Sequence, residues 1–586
     1  MRAFPTRLRT AVLSLLLLLA LPYCALAASD PCPRPVQGSV IVNPPDLYSQ
    51  DGVLKVTFDY YTTLDQWGRT LFCYVTPHGM EAPTLHLNPG DTIDLTLTNK
   101  EQGGPPPVLE TVSGKSNVCG SFYMTPQSVN LHFHGMNVSP RCHADDVINT
   151  LVNPGESFHY EIRIPKDEPP GMYWYHQHVH GISSPGVEGG ASGAIEVEGI
   201  ANLQPAVAGL PQRFLVLRDE PLQNPPQNQQ QADTVPYWDV STNFVSVPYP
   251  KYPPGIIKMR AGAQEFWRVV NAAANTQMDL QVLYDGVAQP LQIVAFDGVP
   301  TGSQDGKQQG TIITQTDVFI PVAGRAEFIV IGPSKGVKTA LLMTKRIDTG
   351  PGGDIDTRRP LAKIQLTNDM REIPKSILPL AGHVSGDRFA GVDDSMVTAH
   401  RHLYFSEITG TGKVVPGGGS IFYITVVGQN PVVYYPDEPP AITTTQGAVE
   451  DWTIENRAHE VHEFHMHQIH FQLLAVDGVP VPPERRQWYD TYQVDYDPCR
   501  PIGETCGHQD GRPYPSIKVR MDFRGADVGE FVYHCHILDH EDKGMMANIL
   551  VLPRGSGSNK GAALQRRPLG AKLTKVGSRS IGAHAS

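Results

Sequence analysis

The 586-residue chain carries 47 Lys and Arg against 59 Asp and Glu, a net charge of −12, with 55 Gly, 52 Pro and 8 Cys. That balance leaves no basic footprint for nucleic acid, and past the N-terminus no segment is apolar enough for a stable membrane span. The length suggests roughly three or four domains, and short Val/Ile/Thr/Tyr runs broken by Gly and Pro predict an all-β protein.

At the N-terminus, Arg2, Arg7 and Arg9 precede an apolar run over residues 11–21, and Ala25-Leu26-Ala27 follows. This pattern predicts a Sec-type signal peptide over residues 1–28 and a secreted or periplasmic destination. A membrane anchor is the other reading, but the apolar run is short for one. Cys24 would leave with the signal. Cys32, Cys73, Cys119, Cys142, Cys499 and Cys506 can form up to three disulfides, and only Cys499 with Cys506, close in sequence, suggests a pairing. Cys535 is left over, between two histidines.

A repeat marks the organisation. Residues 90–99, 262–271 and 447–456 each run from Gly to Asn through an alternating strand pattern, 172 and then 185 residues apart. Alternation of this kind predicts a half-buried strand, and three copies at domain-sized spacing predict three related β-domains. A second repeat links the outer two: Gly171 to His178 aligns without a gap with Gly529 to His536, and His132-Phe133-His134 is similar to His465-Met466-His467. The expected divisions are 29–199, 200–372, a linker at 373–395, and 396–553. The middle division contains neither His nor Cys. A tail at 554–586, Gly/Ser/Ala-rich with seven Lys or Arg and no acid, reads as flexible, with a polyanion-binding segment or surface anchor as the other reading.

Two histidines spaced His-x-His on a strand point to one face. His132/His134, His176/His178, His465/His467 and His534/His536 therefore offer eight imidazoles to a common cavity. Cys535, His540 and Met545, joined by His462, supply a thiolate, two imidazoles and a weak thioether, the donor set of a blue copper site. Zinc competes for Cys and His but needs no Met and cannot change oxidation state. Cys535 points away from its neighbours His534 and His536, so one piece of backbone touches both sites. A three-copper cluster plus a blue copper stores the four electrons that dioxygen needs to become water.

These four blocks resemble those of the multicopper oxidase family, laccases and metallo-oxidases included, over about residues 30–553. The resemblance implies three cupredoxin-like Greek-key β-barrel domains and four copper ions. By position, His462, Cys535, His540 and Met545 correspond to the type 1 ligands, and His132 and His465 to the type 2 ligands. His134, His176 and His536 correspond to one type 3 site, and His178, His467 and His534 to the other. Glu463 and Gln468 replace the family's usual proline and glycine. Glu541 resembles a proton-relay glutamate, and Asp145, with Asp146 beside it, the acid on a water channel. His143, His159, His180, His459 and His470 are read as supporting or surface residues.

His462 is expected to be the exposed edge where electrons enter. Glu460, Glu463 and Asp490 are expected on the rim, binding a phenol proton, a metal cation or water alone. The expected partners are dioxygen and a small phenolic or aromatic reductant, or metal ions. Three readings stay open: a laccase-like oxidase of phenols and aromatic amines; a metallo-oxidase of Cu(I), Fe(II) or Mn(II); and a non-catalytic copper-binding or structural protein.

Overall fold

The computed structural model describes residues 30–101, 110–111, 119–225, 235–307, 309–410, 419–497 and 513–556. The signal segment, Cys499, Cys506 and most of the basic tail lie outside the described residues. Strands dominate, and the helices are short turns such as Ser183–Glu188 and Leu538–Asp542.

The repeated segments form the strands Thr92–Asn99, Gln264–Asn271 and Val449–Asn456. Each lies between a parallel and an antiparallel neighbour. The pairs are Val53–Leu64 and Ser157–Arg163, Gln212–Pro221 and Arg325–Ile331, and Val397–Gly410 and Ser516–Asp522. The Gly before each strand has a positive φ of 93°, 65° and 100° in turn, a region costly for any residue with a Cβ. The Asn at each strand end is fully buried. Asn99 donates to the carbonyls of Gln127 and Val152, Asn271 to those of Thr276, Ile320 and Pro321, and Asn456 to those of Glu460 and Val494. Buried carbonyls need such donors, so the sequence repeat is a repeat of position in the fold.

Two sheets pair in each unit: five- and four-stranded in the first, eight- and six-stranded in the middle, seven- and five-stranded in the third. Neighbours within the sheets are often non-consecutive in sequence, as Greek-key connections require. Each unit encloses its own apolar core, around Phe58 and Leu95, around Trp267 and Phe328, and around Trp452 and Phe464. The all-β, three-barrel expectation holds. Between the strand ending at Leu366 and the one starting at Val397 lie single-turn helices. This stretch is pinned by Phe389 stacked 3.8 Å from Trp488 and by Arg388 paired to Asp167 at 2.9 Å.

Two disulfides are formed, Cys32–Cys73 and Cys119–Cys142; the expected Cys499–Cys506 pairing lies outside the described residues. Among those residues no helix is long and apolar enough to cross a membrane.

Candidate metal centre

The histidine pairs are set by two matching sheets. His132–His134 pairs antiparallel with Gly171–His176, His132 opposite His176. In the third unit His462–Met466 pairs antiparallel with Gly529–Cys535, His465 opposite His534. The two sheets bring their histidines together: His134 stacks on His465 at 4.1 Å and His132 on His467 at 3.9 Å. His534 Nε2 lies 3.2 Å from His178 Nε2 and 3.1 Å from His467 Nε2. All eight imidazoles of the four pairs are buried.

Strand alternation turns Cys535 the other way. Its Sγ lies 3.7 Å from His462 Nδ1 and 3.8 Å from His540 Nδ1, and those nitrogens are 3.1 Å apart. Met545 is fully buried in the same core, and its carbonyl accepts the Cys535 N–H at 3.0 Å. Cys535 is in no disulfide. Burial pushes its thiol well above the ordinary range, so the thiolate there needs a cation to displace the proton.

The donors fit metal ions. His132 Nδ1 donates to Asp145 at 2.9 Å, His134 Nε2 to Asp490 at 3.2 Å, His176 Nδ1 to the Gln177 carbonyl at 2.7 Å and His465 Nδ1 to the Asp490 carbonyl at 2.9 Å. The other ring nitrogen of each is buried and finds no hydrogen-bond partner among the described residues. One nitrogen fixed by an acceptor and the other free is how a protein orients a metal-binding histidine. Burial first, then neighbouring imidazoles, holds His134, His176, His178, His465, His467 and His536 well below their ordinary range. Burial pushes His534 down to about 3 and His540 to about 4. The rings are thus neutral, with lone pairs to give.

The expected carboxylates divide. Asp145 is buried against His132, and also accepts the Phe133 N–H at 3.0 Å and Gln468 Nε2 at 2.8 Å. Asp146 instead accepts from Asn149. Glu541 is fully buried 3.5 Å from His180 Nδ1, and burial pushes it up to about 8. Glu460 Oε2 sits 3.4 Å from His540 Nε2. Burial pushes Glu407 and Glu460 each up to about 7, a hydrogen bond between them contributing at Glu407.

Three expectations are corrected. His462 is not an exposed edge: it is 0% exposed, walled by Phe405 and Phe422, while His540 keeps 6%. Glu463 and Asp490 are not rim charges; both are 0% exposed. Glu463 alternates away from His462 on its strand into the joint with Val322 and Gln277, where burial holds its carboxyl well above the ordinary range. Of the supporting histidines, His470 is fully buried and donates to the Asp297 carbonyl at 2.9 Å, whereas His143 and His159 face solvent. Asn137, which opens an Asn-Val-Ser glycosylation pattern with Val138 and Ser139, is buried and donates to Glu168 at 3.0 Å.

Sequence reasoning missed two residues, Trp174 and Arg325, and the role of a third, Gln468. Trp174 stacks on His176 at 4.2 Å; its place in the aligned block was the available signal. Gln468 keeps glycine-like backbone, φ 67°, and spends its amide on Asp145. Arg325 lies in the unit without histidine, and no pattern pointed to it.

Fold and centre together define a cupredoxin-like protein with buried His and Cys groups able to hold metal ions. The family model described as multicopper oxidase matches residues 418–555, and a second of the same description matches 101–201. The chain belongs to the multicopper oxidase family, copper enzymes that pass electrons from a reducing substrate to dioxygen. It is 20% identical over 480 residues to the multicopper oxidase mco of Staphylococcus haemolyticus, covering 80% of this chain and 81% of that one. Its fold is similar to the Campylobacter jejuni multicopper oxidase described as a metallo-oxidase (TM-score 0.60, 21% identity, 89% and 97% of the two chains). It is also similar to a laccase-like multi-copper oxidase from Ochrobactrum sp. with oxidase activity towards lignin model compounds (TM-score 0.59, 18% identity, 87% and 100%).

Proposed function

We propose that this chain is a laccase-like oxidase that takes single electrons from phenols and aromatic amines and delivers four to dioxygen, with four copper ions as cofactor. His462, Cys535, His540 and Met545 would hold the type 1 copper, and His132 and His465 the type 2 copper. His134, His176 and His536 would hold one type 3 copper, and His178, His467 and His534 the other. Copper at these positions supplies one-electron redox chemistry and a place for dioxygen to be reduced. The chain supplies the path and the surroundings. The observation that carries the proposal is the tripeptide His534-Cys535-His536, whose sulfur faces His462 and His540 while its flanking imidazoles face the cluster. Asp145 and Glu541 are the buried carboxyls assigned to proton delivery. Electrons enter past His540, the less buried imidazole of the sulfur site.

Aerobic copper reconstitution of wild type and Cys535→Ser tests this, with metal counting, a visible spectrum and oxygen uptake on a phenolic dye. The variant is expected to lose visible absorption and turnover together. Absence of oxygen uptake with every donor tried would favour a non-catalytic copper-binding protein.

A second reading, oxidation of Cu(I), Fe(II) or Mn(II), is favoured by one observation. Glu460 and Glu407 stand beside His540, and Asp354, raised by burial, faces both Glu460 and His540. Carboxyls there suit the harder Fe(II) and Mn(II) rather than the soft Cu(I). Turnover of each metal ion measured beside the dye separates the two readings. Export through a Sec-type signal to the periplasm or beyond is supported by the N-terminal sequence and by the two disulfides, which persist in oxidising compartments.

A further inference from the structure

We infer that Arg325, supplied by the unit that has no histidine, is a positioning residue for the histidine cluster and acts through Asp490. The inference rests on the metal reading above. The Arg325 side chain is fully buried. It grips Asp490 with both arms, Nη1 to Oδ1 at 2.7 Å and Nη2 to Oδ2. Its Nε donates to the Met172 carbonyl at 3.2 Å. One guanidinium therefore ties three units together. Met172 lies in the strand that carries His176, and Arg325 opens the strand Arg325–Ile331. Asp490 immediately precedes Thr491–Val494, the strand paired with His462–Met466.

The far side of Asp490 faces imidazoles. Its Oδ1 accepts from His134 Nε2 at 3.2 Å, and its carbonyl accepts from His465 Nδ1 at 2.9 Å. Thr491 Oγ1 donates to Asp490 Oδ1 at 2.9 Å and lies 3.1 Å from His465 Nδ1. These acceptors leave His134 Nδ1 and His465 Nε2 as the nitrogens without a protein partner, which fixes both rings. The packing has no slack: a Cβ on Gly135, next to His134, would lie 2.2 Å from Arg325 Nη2 and 2.5 Å from Asp490 Oδ2. A carboxylate buried this deeply needs a fixed counter-charge, and the planar fork fixes direction as well as charge, which an ammonium does not. With the fork removed, Asp490 is free to turn, and His134 and His465 lose their aim together.

The test uses copper-loaded full chain: wild type, Arg325→Gln, Arg325→Lys and the near-isosteric Asp490→Asn. Copper per chain, the visible absorption of the sulfur site and the paramagnetic resonance of the cluster copper are followed during chelator titration. Arg325→Gln and Asp490→Asn are expected to give up cluster copper roughly 10- to 100-fold more readily, with the sulfur-site absorption retained. Arg325→Lys is expected to fall between them and wild type. Wild-type resonance and chelator resistance in both Arg325→Gln and Asp490→Asn overturn the inference. So does parallel loss of both signals, which indicates general loosening. A wild type that loads no cluster copper instead removes the metal reading itself, before any variant is compared.

Discussion

At the residue scale, neighbours in sequence do opposite jobs because a strand alternates. His534 and His536 serve one site and Cys535 the other, and Glu463 turns away from His462 into a buried joint. Met545 belongs to this scale. An axial thioether holds the potential of a blue copper below that given by an apolar residue. Met545→Leu is therefore expected to raise the potential while copper stays bound, measured by redox titration of the visible band. Gln468 shows a compensation. A non-Gly residue at φ 67° costs about 1–3 kcal/mol, and its amide fixes Asp145 at 2.8 Å in return. Gln468→Gly is expected to relieve the backbone yet slow oxygen reduction through a freed Asp145. Unchanged kcat would count against Asp145 needing that hold.

At the element scale, the Gly-to-Asn strand is the module. It was legible as alternation in three places, and its meaning lies in the terminal Asn, which satisfies carbonyls of loops distant in sequence. Asn271→Ala strips donors from the carbonyls of Thr276, Ile320 and Pro321. Each buried group left unsatisfied costs about 1–3 kcal/mol, so thermal unfolding is expected several degrees earlier. The copper spectrum is expected to hold, since Asn271 lies in the middle unit. The paired histidine strands were legible at this scale too, because period 2 alone aims both rings of a pair.

At the scale of the whole molecule, buried charge joins the units. His86 and Glu196 of the first unit meet Arg268 of the middle unit, which also holds Glu327. Burial alone pushes the His86 imidazole down, but hydrogen bonds to Asp46, Glu196 and Glu198 outweigh it and raise it to about 11. Its folded value stands above the unfolded value of about 6.5. Its contribution to stability is therefore complete below about pH 6.5 and is lost as pH rises towards 11. The thermal midpoint of wild type is expected to fall across that window more steeply than that of His86→Gln, as scanning calorimetry would record. Equal slopes would remove His86 from the joint.

The amino-acid sequence alone determined the strand class, the three-fold repeat and the ligand types, because alternation and residue chemistry are local properties. The spacing from Cys535 to His540 to Met545 points to copper without any fold. Only the tertiary structure decided which imidazole keeps an edge towards solvent, that Glu463 and Asp490 are interior, and that Arg325 reaches the cluster. Those depend on how three barrels meet, and contacts between residues 165 positions apart, as in Arg325 and Asp490, leave no periodic trace along a chain.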